Sequence, residues 1–441
     1  MANRVCAALL LIGSLLALEL LGAGVEGTRP ERERAAVHNR MVLKKLNTVL
    51  GPAMRRNNIQ LWIVLSREYN VDPVFPFITP DGTYPGAGNA YVFIDDGSDR
   101  PLRIAIGSHQ WKQGAPFFDR VIGARGAKVG QELRTLVEKY RPQRIAINSA
   151  RSTSAADGLT ATFRESLQET LGPEFASRLV SAEQLVIDYL DTRLPEDEAL
   201  FREAAEVTRK IWEEAFSPAV ITPGTTTVGD VLWYIRQRCA DHGVGIWFRP
   251  DIRVQRRGVE FRPGEVAPDD LVLLRGDVLH LDFGIIYLDF STDYQKHAYI
   301  LREDETDVPN GLKQALANTN RLQDILLAEM KAGRSGHQVF TAAMERAQAE
   351  DLQAMIYSHS IGHFGHFVGA AIGSFSGGKP GLRALLPLRP GSYTSIELNT
   401  KTAVPEWDGQ EVYIMMEDDA FLSPDGMKFF LPRQLRWYTI R

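Results

Sequence analysis

Apolar residues recur along the chain in two different rhythms. Short runs at residues 61–65, 91–94, 103–106 and 144–147 have the length and β-branched content of strands. Between the last two, Leu133, Leu136 and Val137 fall at helical spacing. This alternation predicts an α/β unit of roughly 150 residues. A new rhythm begins near Thr192. Pro195 is followed by Glu196, Asp197 and Glu198, residues suited to the first turn of a helix, where acids meet the positive end of the dipole. Leu200, Ala204, Val207 and Ile211 then repeat helically. A second helix is expected from Thr227 to a cap at Gly243, and others at 312–330 and 337–349. Strand-like segments lie at 278–282, 297–301, 392–398 and 411–416. Helices followed by strands, twice over, predict an α+β layout without regular βαβ alternation. The expected organisation is thus a smaller α/β domain over 28–192 and a larger α+β domain over 193–441.

The N-terminus differs from both. Arg4 precedes an apolar run over 7–18 and the small residues Gly22, Ala23 and Gly24. That order predicts a secretory signal over 1–27, and hence a secreted or periplasmic protein. The run is shorter than the ~20 residues of a membrane span, so no stable membrane association is expected once the signal is cleaved. The polar stretch 28–34 reads as a flexible lead. With 44% hydrophobic and 24% charged residues, the rest has the composition of a soluble globular protein. A net charge of −5 offers no basic face for nucleic acid. Cys6 falls in the signal, leaving Cys239 alone on an apolar helix face with Val231, Leu232 and Ile235, where it reads as core packing and not as a nucleophile. Gly86-Ala-Gly88 lacks a third glycine and reads as a turn.

Candidate chemistry is confined to the second domain. His359-Ser-Ile-Gly-His-Phe-Gly-His366 gathers three of the nine histidines. Asp282 and Asp293 flank a predicted turn at 287–291, so two antiparallel strands would bring them together. Glu397 and Glu417 interrupt otherwise apolar runs. An acid among apolar neighbours is costly unless paired or bound to metal. Four carboxylates and an imidazole balance two divalent cations, and such donors suit Mn²⁺, Co²⁺, Fe²⁺ or Zn²⁺.

The order Asp282, Asp293, His359-x-x-Gly with His366 seven on, Glu397 and Glu417 resembles the pita-bread metallopeptidases. These comprise methionine aminopeptidases, aminopeptidase P, prolidases and creatinase-like proteins. The resemblance covers roughly 197–441, and the preceding domain resembles the creatinase-type domain of aminopeptidase P and prolidase. It implies two divalent ions, Mn²⁺ foremost. Asp282 would chelate one, Asp293 and Glu417 would bridge, and His359 and Glu397 would hold the other. A hydroxide shared by the metals would attack the peptide carbonyl. Glu397 and His366 would be catalytic, with His363 and His366 lining the substrate. The N-terminal domain implies Xaa-Pro cleavage, a peptide substrate with proline second, and a homodimer.

Gly365-His366-Phe-Val-Gly369 offers a second register in which His366 is the ligand; His359 alone supplies both the glycine at +3 and the histidine at +7. Two positions depart from the family. No histidine stands about seventeen residues before Asp282, where Arg262 is a candidate substitute donor, and Met415 replaces an arginine two before Glu417. The rival readings are a metal-independent creatinase-like amidinohydrolase and a non-catalytic peptide-binding scaffold. Asp282-Phe-Gly lacks the other kinase motifs.

Overall fold

The computed structural model describes residues 27–108, 116–373 and 380–441. All but the last residue of the expected signal lies outside them. The expected flexible lead is ordered instead. Thr28 Oγ1 donates to the His242 carbonyl, the Arg29 amide donates to the Tyr287 hydroxyl, and Arg29 pairs with Glu203. Helix α1 (Glu31–Thr48) starts directly afterwards, and α2 (Leu50–Arg56) follows.

The first domain is built on a mixed six-stranded sheet, β1 (Leu61–Ser66), β2 (Asn89–Ile94), β3 (Leu102–Gly107), β4 (Arg120–Gly123), β5 (Ile145–Ile147) and β6 (Leu179–Ser181), in the order β4-β3-β2-β1-β5-β6. Its runs are almost wholly apolar because both faces are covered. Leu61, Ile63, Val92 and Ile104 pack on α3 (Ala127–Tyr140) and α4 (Ala161–Ala176). Trp62, Val64, Tyr91 and Phe93 face the opposite way, into a core shared with α1, α2, α5 (Glu183–Asp191) and α6 (Asp197–Ala215). Alternate residues of one strand thus feed two cores.

In the second domain Pro195 stands just before the N-cap of α6. Helix α7 (Val228–Asp241) begins with a Thr227–Asp230 capping box, and its chain turns away at Gly243, φ +59°. A four-stranded sheet contains β7 (Asp251–Gln255), β8 (Val278–Phe283), β11 (Tyr294–Ile300) and β19 (Tyr438–Ile440). The turn between β8 and β11 is the small hairpin β9 (Ile286–Tyr287) and β10 (Phe290–Ser291). Its central residues, Leu288 and Asp289, have φ +51° and +66°, the left-handed pair a twisted two-residue turn requires. A second sheet contains β12 (Gln353–Ser360), β13 (Ile372–Gly373), β14 (Tyr393–Ser395), β15 (Leu398–Val404), β16 (Gln410–Met416), β17 (Asp419–Ser423) and β18 (Gly426–Phe429). Helices α8 (Asn310–Glu329) and α9 (Gly336–Ala349) cover it. A backbone bridge from Gln295 to Glu417 joins β11 to the turn after β16, and one from Ser291 to Gly362 ties the hairpin to the loop after β12.

Two expectations need correction. The segment 392–398 is not one strand: the pairing with β12 keeps its register but is interrupted at Ile396 and Glu397, whose amides donate to the Asp418 carbonyl and to Ser358 Oγ. Strand β12, which carries His359, was not anticipated, because it ends in the consecutive polar run Ser358-His359-Ser360.

A buried cluster of carboxylates and histidines

Strand register brings the five expected residues together. Asp282 lies on β8 opposite Gln295 on β11, and Asp293, two residues before Gln295, shares its face. His359 ends β12 opposite Ser395. Glu417 follows β16 and bridges to Gln295. His359 Nε2 lies 3.2 Å from Glu417 Oε1 and 3.7 Å from both Asp293 Oδ2 and Glu397 Oε2. Ligand atoms of His359, Glu397 and Glu417 lie within 4.8 Å of one another, as do those of Asp282, Asp293 and Glu417.

The electrostatics are strained. Burial, then the charge of Glu417, raises Asp282, Asp293 and Glu397 well above the usual carboxylate range. Asp293 Oδ1 is buried with no hydrogen-bond partner. Buried like charges with an orphaned oxygen are stabilised by a cation, and the oxygen-plus-imidazole donor set fits divalent transition metals. The base is rigid: buried Lys296 donates to the Glu417 carbonyl and pairs with Asp418, which Gln323 also supports. Ser395 Oγ donates to Glu417 Oε1 at 2.6 Å.

His366 is exposed at the rim. Its ring stands edge-on to His359, centroids 4.3 Å apart, and to Trp247 at 4.9 Å. The protein packed around it, and then His359, push its pKa down to about 4, so it is neutral at pH 7. Glycine makes the loop possible. A Cβ on Gly365 would meet the Trp247 ring at 2.2 Å, and one on Gly362 would meet Arg193 at 2.3 Å.

His363 is turned away from this chemistry. Its Nδ1–H donates to the Asp289 carbonyl, its Nε2 accepts from Lys45 at 3.2 Å, and its ring stacks on Phe290. Both nitrogens serve protein partners, so it fixes the loop and presents no hydrogen bond to a substrate. Lys45 opens a second buried cluster. It also donates to the Leu190 carbonyl, beside Asp191, Arg193 and Asp197. Arg193 pairs with Asp191, donates to the Ile361 carbonyl and lies 4.4 Å over the Tyr393 ring; Arg389 pairs with Asp188.

The sequence reading missed two residues. Gln295 donates to Glu397 Oε1 at 2.6 Å and to Glu417 Oε2 at 2.9 Å. Its position two on from Asp293 in a strand was the available signal. Arg253 pairs in register with His280 and touches Met415 Sδ at 3.3 Å; its charge lowers the pKa of Asp282 and Glu397. It thus supplies a cation where Met415 replaces the family arginine. Arg262, by contrast, is two-thirds exposed and pairs with Glu260 and Glu265. Among the remaining histidines, His280 bonds Gln295 Oε1 and His297 bonds the Met415 carbonyl, both supporting the cluster from beneath.

The model of metallopeptidase family M24 matches residues 199–423. Solved structures share the fold at low identity. An X-Pro aminopeptidase from Thermotoga maritima is 17% identical, with TM-score 0.64, covering 87% of this chain and 99% of its own. A Xaa-Pro dipeptidase from Bacillus anthracis is 16% identical, TM-score 0.62, covering 91% and 100%. A variant of Escherichia coli aminopeptidase P is 14% identical, TM-score 0.65, covering 90% and 96%. No curated protein sequence matches the chain.

Proposed function

The chain belongs to metallopeptidase family M24, and on that footing we propose that it is a dinuclear-metal peptidase that removes N-terminal residues preceding proline. The observation that carries this is the buried cluster of Asp282, Asp293, His359, Glu397 and Glu417, in which burial and mutual repulsion raise the carboxylates and the charge of Arg253 offsets this only in part. Asp282, Asp293 and Glu417 would hold one ion, and Asp293, His359, Glu397 and Glu417 the other, with Mn²⁺ foremost and Co²⁺, Zn²⁺ or Fe²⁺ as alternatives. Bound there, divalent metals supply Lewis-acid polarisation and an acidified water.

The protein's own groups do the rest. Neutral His366, held edge-on by Trp247, is placed to donate to the oxygen of a substrate amide at the rim. Such donors count most where charge develops in the transition state. Glu397, held at its amide and its carbonyl by Ser358 Oγ, is the carboxylate that would carry a proton from water to the leaving nitrogen. The His359 register is preferred because His359 is buried against Glu417 while His366 reaches solvent. Export rests on the N-terminal pattern, and homodimer formation on the resemblance.

The test is hydrolysis of Xaa-Pro di- and tripeptides by the mature chain after chelation and after adding back Mn²⁺, Co²⁺ or Zn²⁺. Activity that vanishes and returns with metal supports the reading, and chain-length preference assigns the subclass. Metal-independent hydrolysis, or none with metal bound, overturns it.

A further inference from the structure

The loop that carries His366 is held from behind by α1. Between β12 and β13 its backbone takes positive φ at Gly362 (+142°) and Phe367 (+74°), and such backbone persists only where its surroundings over-determine it. Three consecutive residues supply the grip. The Ile361 carbonyl accepts from Arg193 Nη2 at 2.8 Å, and the Gly362 carbonyl accepts from the Ser291 amide at 2.6 Å. The His363 ring engages both nitrogens. Its Nδ1–H donates to the Asp289 carbonyl at 2.9 Å, which leaves Nε2 as the acceptor that Lys45 Nζ meets at 3.2 Å. Asp289 is bound in turn by His38, whose Nδ1 lies 2.7 Å from Asp289 Oδ2. His38 and Lys45 stand seven residues apart on α1, hence on one face of the helix. The contacts close a ring: from α1 through Lys45 to His363, on to Asp289, and back through His38.

Packing alone does not call for an amine at position 45. Lys45 is buried against the Tyr189 ring, where a methionine would fill the space, and a buried ammonium is costly unless paired. Asp191 and Asp197 offset its charge, while its N–H groups go to the Leu190 carbonyl and to His363. We propose that Lys45 is a positioning residue: through His363 it fixes the loop so that His366, three residues on, stands edge-on to both His359 and Trp247. The effect on rate rests on the metallopeptidase reading and deepens it, because it gives α1 a part in catalysis. A loosened His366 faces the substrate oxygen for less of the time. A donor that counts in the transition state is then lost from kcat before KM. His359 ends β12 ahead of the loop, so the carboxylate–histidine cluster keeps its ligands.

The test compares Lys45→Met, His363→Phe and the double variant of the full chain with the wild type. Hydrogen exchange is read over residues 361–369, bound Mn²⁺ is counted, and kcat and KM are measured on Xaa-Pro peptides. His363→Phe keeps an aromatic ring against Phe290 and leaves the charges of the seam in place, which guards against a Lys45 variant that fails to fold. Each single variant should speed exchange in the loop at least about tenfold. Each should also lower kcat about 10–100-fold with KM within about twofold and metal content unchanged. The double variant should lose little more than either single one, since both break the same contact. Loop exchange unchanged in both single variants, losses that multiply in the double variant, or KM rising as much as kcat falls overturns the proposal. A wild-type chain without metal-dependent Xaa-Pro hydrolysis overturns the metallopeptidase reading instead, and loop exchange then still decides the role of Lys45.

Discussion

Two clusters of buried charge lie on either side of one loop, and they are built on opposite principles. In the seam around α1, Lys45, Arg193 and Arg389 face Asp188, Asp191 and Asp197. Arg56 also pairs with Asp188, so cations are at least as many as acids there. Burial works against Asp188, yet Arg389 and Gln184 hold its pKa down. In the site, four carboxylates face one imidazole, one amide and the more distant Arg253. His363 sits between the two, accepting from Lys45 while its chain neighbours His359 and His366 serve the site. The seam is complete as folded. In the site the carboxylates outnumber the cations that face them.

The largest expected effect breaks the site alone. Asp293→Asn should lower kcat/KM by at least about 10³-fold and reduce bound metal. It should not lower the melting temperature of the metal-free chain, because it removes a repelled charge. Calorimetry in chelator checks this, and a clear destabilisation there would erase the distinction drawn above. Next, Asp197→Ala should cost about 3–5 kcal/mol, since one member of a buried charged group is removed and the others are stranded. Urea unfolding should show the same loss with and without metal. Third, wild-type protein at 100 times the metal Kd should gain about 2.7 kcal/mol of stability, and this gain should vanish in Asp293→Asn but persist in Asp197→Ala. The smallest effect is a pH slope. Burial lowers Lys45 to about 7 from 10.5, so the unfolded chain binds more protons between those values and stability rises with pH across that window, by at most about 1.4 kcal/mol per unit. Lys45→Met should flatten the slope; an unchanged slope in denaturation at pH 7 to 10 would show that the seam does not titrate there.

Which parts were legible in the sequence follows from the range of the interactions. Asp282, Asp293, Glu397 and Glu417 stood out because an acid inside an apolar run is a local anomaly, visible without knowing its partners. The strands of the first sheet were legible because both faces are covered, which makes each run continuously apolar. Arg253 was not legible as a site residue, because only strand register places it across from His280, and Gln295 carried only the weak signal of standing two on from Asp293. The His363–Lys45 contact spans 318 residues, and no local pattern encodes it. The break at Glu397 was invisible for a different reason: the residues around it continue in strand-like alternation, and the register on either side is unchanged. Polar residues at 28–34 suggested freedom, because their partners Glu203, His242 and Tyr287 lie far downstream.

That last feature sets a timetable. The Arg29 side chain waits for Glu203, 174 residues on, and its amide for Tyr287, 258 residues on. At roughly 5–20 residues synthesised per second, Thr28 and Arg29 have no docking surface for on the order of ten seconds or more after they leave the ribosome. The beginning of the chain is therefore among the last pieces to settle, and it closes over a catalytic half that must already have taken shape beneath it.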